Sequence, residues 1–319
     1  MNIKQSFLLS VVLCLLSLSS CNRTGEDLNA IAYDLCQYIP DHVLLEHSKD
    51  YMTEDFYALL DTMFNLPEHE AMDHEWLHYF VTGNGGTIAD YTVDTVEVKD
   101  KSHAVALLTV RQKWEDGSFC AEEDLEEHRL YMEKVDGKWL ISDFDEHKQD
   151  CINGIANWRK EEALRQAISS YLVSEIGSKY SGGDLCVPVL MIVATEEDSA
   201  NNVNGKLSNC KCYGDFWVFN YRLVGDTLKT ISGGNHSGCM LLAKDGEKLQ
   251  VTHFEQTEDG AGNEASAKRI FGEHYDIYQN MHSHDIREAV RQEQLQQYIQ
   301  RHHLNVKYYQ DYGWDAVEL

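Results

Sequence analysis

The pattern of hydrophobic and polar positions in the first half of the chain predicts helices followed by strands. Thr53 and the apolar positions spaced three or four residues apart after it predict a helix that ends before Pro67. A second helix is predicted from Glu70 to Phe80. Four further runs have strand character: Tyr91 to Val98, His103 to Trp114, Arg129 to Val135 and Lys138 to Phe144. Asp136-Gly137 between the last two predicts a tight hairpin, because a type I′ turn needs positive φ.

The same order of elements starts again after residue 150. A long amphipathic helix is predicted from Asn157 to Lys179. Five strand-like runs follow: Cys186 to Thr195, Phe216 to Val224, Thr227 to Ser232, Cys239 to Ala243 and Leu249 to Phe254. Two helices are predicted from Glu264 to Gln279 and from Asp285 to His302. The sequence therefore predicts an α+β fold in two domains, residues 28–150 and 151–319, each with helices packed on an antiparallel sheet.

Composition narrows the classes of partner. The 319 residues include 53 Asp and Glu against 27 Lys and Arg, which gives a formal net charge of -26. This charge argues against nucleic acid as a partner, because phosphate contacts need clustered Lys and Arg. Apolar residues make up 43% of the chain, an ordinary value for a protein with a folded core. The acid excess is concentrated before residue 150, which supports a domain boundary there.

The N-terminus has the features of an export signal. Lys4 is the only charged residue among residues 1–20, and the apolar run that follows is too short for a membrane span of about 20 residues. Leu18-Ser19-Ser20-Cys21 resembles the lipobox of bacterial lipoproteins, which implies that Cys21 receives a lipid and becomes the mature N-terminus. An Asp directly after the lipidated cysteine retains many lipoproteins at the inner membrane. This chain has Asn22 at that position, so the resemblance implies that the protein is placed in the outer membrane. Residues 21–27 are then a polar tether. The alternative is an ordinary secretory signal in which Cys21 is incidental.

The spacing of the cysteines matches neither a metal site nor a redox motif. Cys210-Lys211-Cys212 is a CxC sequence, and no second pair lies at the spacing of a zinc site. In an exported chain the cysteines are expected to form a structural disulfide or to be plain buried thiols. The histidines of the last two helices, His282, His284, His302 and His303, also lack a metal spacing, and most are predicted to be solvated. The sequence indicates no cofactor.

The first domain resembles a known superfamily. Helices followed by a meander that closes on VDGKWLISD (Val135 to Asp143) are similar to the cone-shaped α+β domains of the nuclear transport factor 2 and ketosteroid isomerase superfamily. The resemblance covers about residues 27–150 and implies a curved sheet around a pocket for a small apolar ligand. Trp76, Tyr131 and Trp139 are candidate binding residues in this domain. The resemblance implies no activity, because one fold hosts many functions.

An HExxH sequence in the predicted second helix suggests a competing function. His74 and His78 would lie on one helix face where both can bind zinc, and Glu75 between them could act as a general base. Asp73 directly before the first histidine and the lack of a third ligand at a known spacing argue against this interpretation. A zinc-dependent hydrolase is therefore the alternative, and a solvated acidic helix face with Trp76 packed inward is the simpler explanation.

The second domain resembles a family of uncharacterised lipoproteins from Gram-negative gut commensals. The stretches that carry the resemblance are Gly214 to Gly234, His253 to Gly260 and Val306 to Leu319. The resemblance implies a place in the cell envelope and no particular chemistry. Between two predicted strands, Gly233 to Gly238 is predicted to be a tight loop that could approach a ligand closely. The candidate binding residues of this domain are Asp215, Trp217, His236, Glu258 and Asp259.

His236 and Cys239 suggest a nucleophilic pair, although residues that flank a turn are expected to diverge. Taken together, these patterns predict a lipid-anchored protein of the cell envelope. We expect a binding module for a small apolar ligand or an envelope protein, held at the membrane through its N-terminal lipid.

Overall fold

The computed structural model describes residues 26–40, 44–66, 87–114, 116–119, 121, 125–180, 182–197, 210–246 and 248–319. The chain divides into two compact units, the first ending at Ala156 and the second running from Asn157 to Leu319. Within the described ranges, no helix is long and apolar enough to cross a membrane. The signal segment, Cys21, the helix predicted from Glu70 to Phe80 with its HExxH sequence, and Cys120 lie outside the described residues.

The first unit contains helices followed by a four-stranded sheet, as the sequence predicts. Its described helices are α1 (Leu28–Cys36), α2 (Leu45–Ser48) and α3 (Glu54–Phe64). The strands are β1 (Thr87–Val98), β2 (His103–Lys113), β3 (Glu126–Val135) and β4 (Lys138–Phe144). They pair as an antiparallel meander in chain order. Asp136 and Gly137 both have positive φ, which confirms the predicted hairpin turn.

The core of the first unit lies between its helices and one face of this sheet. Every second residue of β2 is buried, because successive side chains of a strand point to opposite faces. Phe56 and Leu60 of α3 are fully buried against Leu108 and Leu130. Side chains therefore fill the inner face of the sheet.

The second unit begins within a long helix, α4 (His147–Tyr171). Leu172–Ile176 continues as a π-helical turn and Gly177–Lys179 as a 3-10 turn. The helix starts earlier than the predicted Asn157. Its first ten residues include Gly154, a poor helix former, so the sequence pattern for a helix is weak there. Burial of Cys151 in the core of the first unit holds this part of the helix in place.

A six-stranded sheet forms the centre of the second unit. Its strands are β5 (Leu185–Glu197), β6 (Cys210–Val224), β7 (Thr227–Asp245), β8 (Lys248–Gln256), β9 (Tyr308–Gln310) and β10 (Val317–Glu318). The order is β10-β9-β7-β6-β5, and β8 pairs with the other end of β7. All pairs are antiparallel except β7 with β9. The α+β class is confirmed for both units.

Helices cover both faces of this sheet. On one face, Leu164 and Ile168 of α4 pack against Phe216 and Met240. On the other lie α5 (Asn263–Phe271), α6 (Tyr275–Met281) and α7 (His284–Arg301). The faces alternate along β6, so each of its residues belongs to one helix layer only.

Arg291 of α7 is a buried charge that fixes the C-terminal segment. Its guanidinium donates two hydrogen bonds to the Asp311 carboxylate, at 2.7 and 2.8 Å, and one to the Tyr221 hydroxyl at 3.0 Å. It also lies 3.9 Å from the ring centre of Phe219 and 4.7 Å from that of Tyr309. A buried guanidinium needs such paired and stacked partners, so the segment that carries Asp311 is held at the end of the sheet.

The predicted loop from Gly233 to Gly238 is wrong, because these residues lie inside β7. A Cβ atom at Gly233 would overlap the carbonyl oxygen of Val218, and one at Gly238 would overlap the carbonyl oxygen of Glu255. Gly238 also has a φ of 157°. Glycine at these positions therefore lets neighbouring strands approach closely, and β7 continues through them.

We expect Gly233→Ala to destabilise the second unit by about 1–3 kcal/mol, because the added methyl group meets backbone that cannot move aside. Gly182→Ala is the matched control, since a Cβ there has open space. The control should change the free energy of unfolding by less than about 0.5 kcal/mol. Urea denaturation measures both, and equal stability of the two variants would show that the strands are not packed as described.

Candidate functional site

The most unusual polar group of the second unit is the carboxylate of Asp215, in the middle of β6. Its side chain is 0% exposed. One carboxylate oxygen accepts a hydrogen bond from Nδ1 of His282 at 2.7 Å. The other accepts from the hydroxyl of Ser237 at 2.6 Å and from the side-chain amide of Asn235. A buried carboxylate needs several donors of this kind, and here three side chains supply them.

The sheet register brings these donors together. Asp215 pairs with Ser237, and Trp217 pairs with Asn235 on the same face. Tyr278 of α6 donates to the Ser237 hydroxyl at 3.2 Å. The Tyr278 ring stacks on Phe271 at 4.1 Å, which fixes α6 against α5. The carboxylate is therefore held by two strands and by a helix packed over them.

The electrostatics of the pair favour the charged form of both groups. Burial alone would raise the pKa of Asp215, but the hydrogen bonds from His282, Ser237 and Asn235 outweigh it, so this pKa is lowered. The hydrogen bond to Asp215 raises the pKa of His282 above its ordinary value, against a smaller opposing effect of burial. His282 therefore keeps its proton to higher pH than an ordinary histidine.

His282 presents its second ring nitrogen outward. Its side chain is 43% exposed, and Nε2 has no hydrogen-bond partner among the residues that the structure describes. The residue ends α6, and Ser283 directly after it caps α7 by accepting from the Ile286 amide at 3.4 Å. Backbone on both sides and Asp215 behind it therefore fix the direction of the imidazole ring.

A second cation lies beside this imidazole. The guanidinium of Arg287 lies 4.5 Å from the ring centre of Trp217, two residues after Asp215 on the same face of β6. Its Nε donates to Glu288 at 3.3 Å. The positive charge of Arg287 acts on His282 and opposes its protonation. The buried indole N–H of Trp217 finds no acceptor within the described part of the chain.

His236 lies on the opposite face of the sheet from Asp215. Nε2 of its ring is 2.9 Å from the Tyr180 hydroxyl, and Nδ1 is 3.0 Å from Oε1 of Gln256. Cys239 lies on the other face beside Tyr213, and burial raises the pKa of its thiol to about 11. Three residues apart on a strand, the two side chains point to opposite sides, so the structure does not form the suggested nucleophilic pair.

The remaining predicted residues are dispersed. Glu258 and Asp259 lie before α5, where the Glu258 amide donates to Ser266 at 2.8 Å. Trp139 belongs to the core of the first unit, and its indole donates to Glu26 at 3.0 Å. Tyr131 lies on the opposite strand face and donates to Glu146 at 3.1 Å. Trp76, His74, Glu75 and His78 lie outside the described residues. Among the described residues of the predicted set, the site around Asp215 contains Asp215 and Trp217.

Two other features of the second unit could hold a ligand. Glu196, Glu273 and His274 place ligand atoms within 4.8 Å of one another, but Lys211 already lies 3.2 Å from Glu196. A groove of about 400 Å³ lies beside α4, and its lining includes the ion pair of Lys160 with Glu197. In each place one acidic group, Glu196 or Glu197, is already paired with a lysine of the chain.

Sequence reasoning missed most of this site. Asn235 and Ser237 lie in the predicted loop, and His282 is one of four histidines of which most are predicted to be solvated. The local signals are Asp215 and Trp217, at the start of the strand-like run that is predicted from Phe216 to Val224. Its partner His282 is 67 residues away, a distance that no local pattern spans. The described cysteines Cys36, Cys151, Cys186, Cys210, Cys212 and Cys239 are free thiols.

No protein-family model matches the chain, and no curated protein matches it. A SEC-C motif containing protein from Rhodopseudomonas palustris is similar over 35% of this chain and 70% of its own, at 11% identity and a TM-score of 0.23. An "Ntf2 like protein involved in plasmid conjugation" is similar over 72% of this chain and 95% of its own, at 9% identity and a TM-score of 0.23. The second name agrees with the resemblance of residues 27–150, but a TM-score this low carries no argument.

The pair of Asp215 and His282 should make the free energy of unfolding depend on pH. The raised pKa of His282 means that its contribution is complete below about pH 6.5 and is lost as the pH rises through the folded-state pKa. The lowered pKa of Asp215 means that its contribution is complete above about pH 3.9 and is lost as the pH falls through its folded-state pKa. Both contributions are complete together between about pH 4 and 6.5.

Urea denaturation of the wild type and of His282→Gln at about pH 5.5 and 8.5 tests this window. The variant should be the less stable chain, and the difference should be larger at the lower pH. His284→Gln is the matched control, because that side chain is 73% exposed. A difference that is equal at both values, or larger at the higher one, would contradict the proposed ion pair.

Proposed function

We propose that this chain is a lipid-anchored binding protein of the cell envelope, and that its second unit takes a ligand at the outward nitrogen of His282. The observation that carries the proposal is the fully buried carboxylate of Asp215, which holds Nδ1 of a half-exposed histidine. Burying a charge in a sheet is costly and is expected where it orients a functional group. A fixed imidazole with a free nitrogen is a group positioned to contact a ligand.

Binding explains this site better than covalent chemistry does. No nucleophile is hydrogen-bonded to Nε2 of His282 within the described residues, as a serine or cysteine triad would require. Burial raises the pKa of the buried thiols, for example that of Cys36 to about 12. A protonated thiol is a poor nucleophile at neutral pH.

The proposal places the ligand in the second unit because side chains fill the inner face of the first sheet. Phe56, Leu60 and Leu130 are fully buried there, and Trp139 belongs to the same core. A resemblance to cone-shaped domains would instead suggest an apolar ligand in the first unit. The described residues of that unit support a structural role for its inner face.

Anchoring of the chain is proposed from the Leu18 to Cys21 sequence alone, which is similar to a lipobox. We expect the wild type to sediment with the membrane fraction and Cys21→Ala to move to the soluble fraction, because the variant lacks the thiol that receives the lipid. Cys14→Ala, in the apolar part of the signal, is the control and should stay with the membrane. Equal sedimentation of Cys21→Ala and the wild type would contradict a lipid anchor at this cysteine.

Native mass spectrometry of the chain purified from the cells that make it tests ligand binding. We expect a bound small molecule in the wild type and in His284→Gln, and at least a tenfold lower occupancy in His282→Gln. The reason is that only His282 contacts the ligand through a nitrogen that Asp215 orients. Equal occupancy in all three chains, or no bound molecule in any of them, would contradict a ligand site at His282.

A further inference from the structure

We propose that the ligand of this site carries an oxyanion, such as a carboxylate or a phosphate, bound between His282 and Arg287. This inference rests on the proposed function, because it names the chemical class of the ligand for the same site. Carboxylates and phosphates share the property that matters here, which is a compact negative charge on oxygen atoms that accept hydrogen bonds.

The spacing of the two cations follows from the strand beneath them. Asp215 and Trp217 are two residues apart on β6, so their side chains leave the same face about 7 Å apart. His282 is hydrogen-bonded to the first of them and Arg287 is stacked on the second. The strand therefore sets the imidazole beside the guanidinium at a separation that one small anion can span.

Both groups are hydrogen-bond donors, and the Arg287 side chain is 22% exposed. In the charged form of His282 both ring nitrogens are protonated. Nδ1 donates to Asp215, so Nε2 is the donor that a ligand can use. Arg287 uses Nε toward Glu288, and its two terminal nitrogens have no hydrogen-bond partner among the described residues. The acceptor of the pair, the Asp215 carboxylate, is 0% exposed behind the imidazole. A ligand that approaches this face therefore meets donors and positive charge first.

The surrounding charges leave Arg287 incompletely compensated. Glu288 is shared, because it lies 3.3 Å from Nε of Arg287 and 3.3 Å from a terminal nitrogen of Arg291. Asp311 also interacts with the charge of Arg287, but its hydrogen-bonded partner is Arg291, at 2.7 Å. On the side of α6, the titratable neighbour of His282 is Tyr278, and the centres of the two rings are 5.2 Å apart. Burial raises the pKa of Tyr278. Two adjacent cations, His282 and Arg287, thus repel each other, and an anion between them relieves that repulsion.

The binding should be tightest while His282 is charged. The groups that face its ring are Asp215 from β6, Tyr278 from α6 and Arg287 from α7. Asp215 holds the proton on the ring and Arg287 opposes it. As the pH rises through the folded-state pKa of His282, Nε2 changes from a donor to an acceptor and the affinity for an anion falls.

Titration of the chain with sodium acetate, sulfate and inorganic phosphate tests the inference, with the His282 ring signal followed by nuclear magnetic resonance at constant ionic strength. Acetate and sulfate keep their charge between about pH 6 and 9, so a change in their affinity reports on the protein. We expect a saturable shift of the ring signal for the anions, and weaker binding at about pH 8.5 than at pH 6.

Variants assign the binding to the two cations. Arg287→Gln should weaken anion binding at least tenfold, Arg287→Lys should restore part of it, and His284→Gln should leave it unchanged. Melting curves check that Arg287→Gln is folded. The anion class is overturned if no anion shifts the ring signal, or if Arg287→Gln binds as well as the wild type. If the co-purified molecule shifts the signal and the anions do not, the ligand site stands and only its proposed chemistry fails; if neither shifts it, both proposals fail.

Discussion

The second unit is organised around the cost of burying the carboxylate of Asp215. A buried anion is tolerated only when donors surround it, and breaking such a pair costs about 3–5 kcal/mol. Two elements supply those donors: β7 through Asn235 and Ser237, and the end of α6 through His282. The pairing of β6 with β7 sets the register that brings Asn235 and Ser237 to the carboxylate. Any shift of register by one residue would send the carboxylate to the other face of the sheet, where apolar side chains of α4 pack. The requirement therefore fixes strand pairing, helix position and the direction of one imidazole ring together.

A second buried charge, that of Arg291, constrains the C-terminal part of the second unit in the same way. Arg291 needs the Asp311 carboxylate and the rings of Phe219 and Tyr309, so it fixes α7 and the C-terminal strands. Arg287 lies one helical turn earlier on α7, directly over Trp217. The position of α7 that Arg291 determines is thus also the position that brings Arg287 beside His282. Arg291 and Arg287, the cation that we propose to contact the ligand, share one helix, and this connects the stability of the unit to the geometry of the proposed site.

The sequence predicted what local chemistry decides. The turn at Asp136-Gly137 was predictable because positive φ is a property of those two residues, and the strand-rich order of both units followed from short-range alternation. The predicted break of β7 at Gly233 to Gly238 was wrong because glycine favours turns on its own, whereas here neighbouring strands leave no room for a side chain. Asp215 could be selected as a candidate polar residue next to a predicted strand. Its pairing with His282 could not, because contacts across 67 residues depend on how helices pack on the sheet.

Nitrogen-15 chemical shifts of the His282 ring in the folded chain report its tautomer and its titration directly. If Asp215 holds the imidazole, Nδ1 stays protonated toward Asp215 throughout, Nε2 is the nitrogen that loses its proton, and the pKa of His282 lies above its ordinary value of about 6.5. A neutral ring with its proton on Nε2, or a pKa below that value, would show that Asp215 does not hold the imidazole. The contact between Asp215 and His282, on which the site depends, would then be wrong.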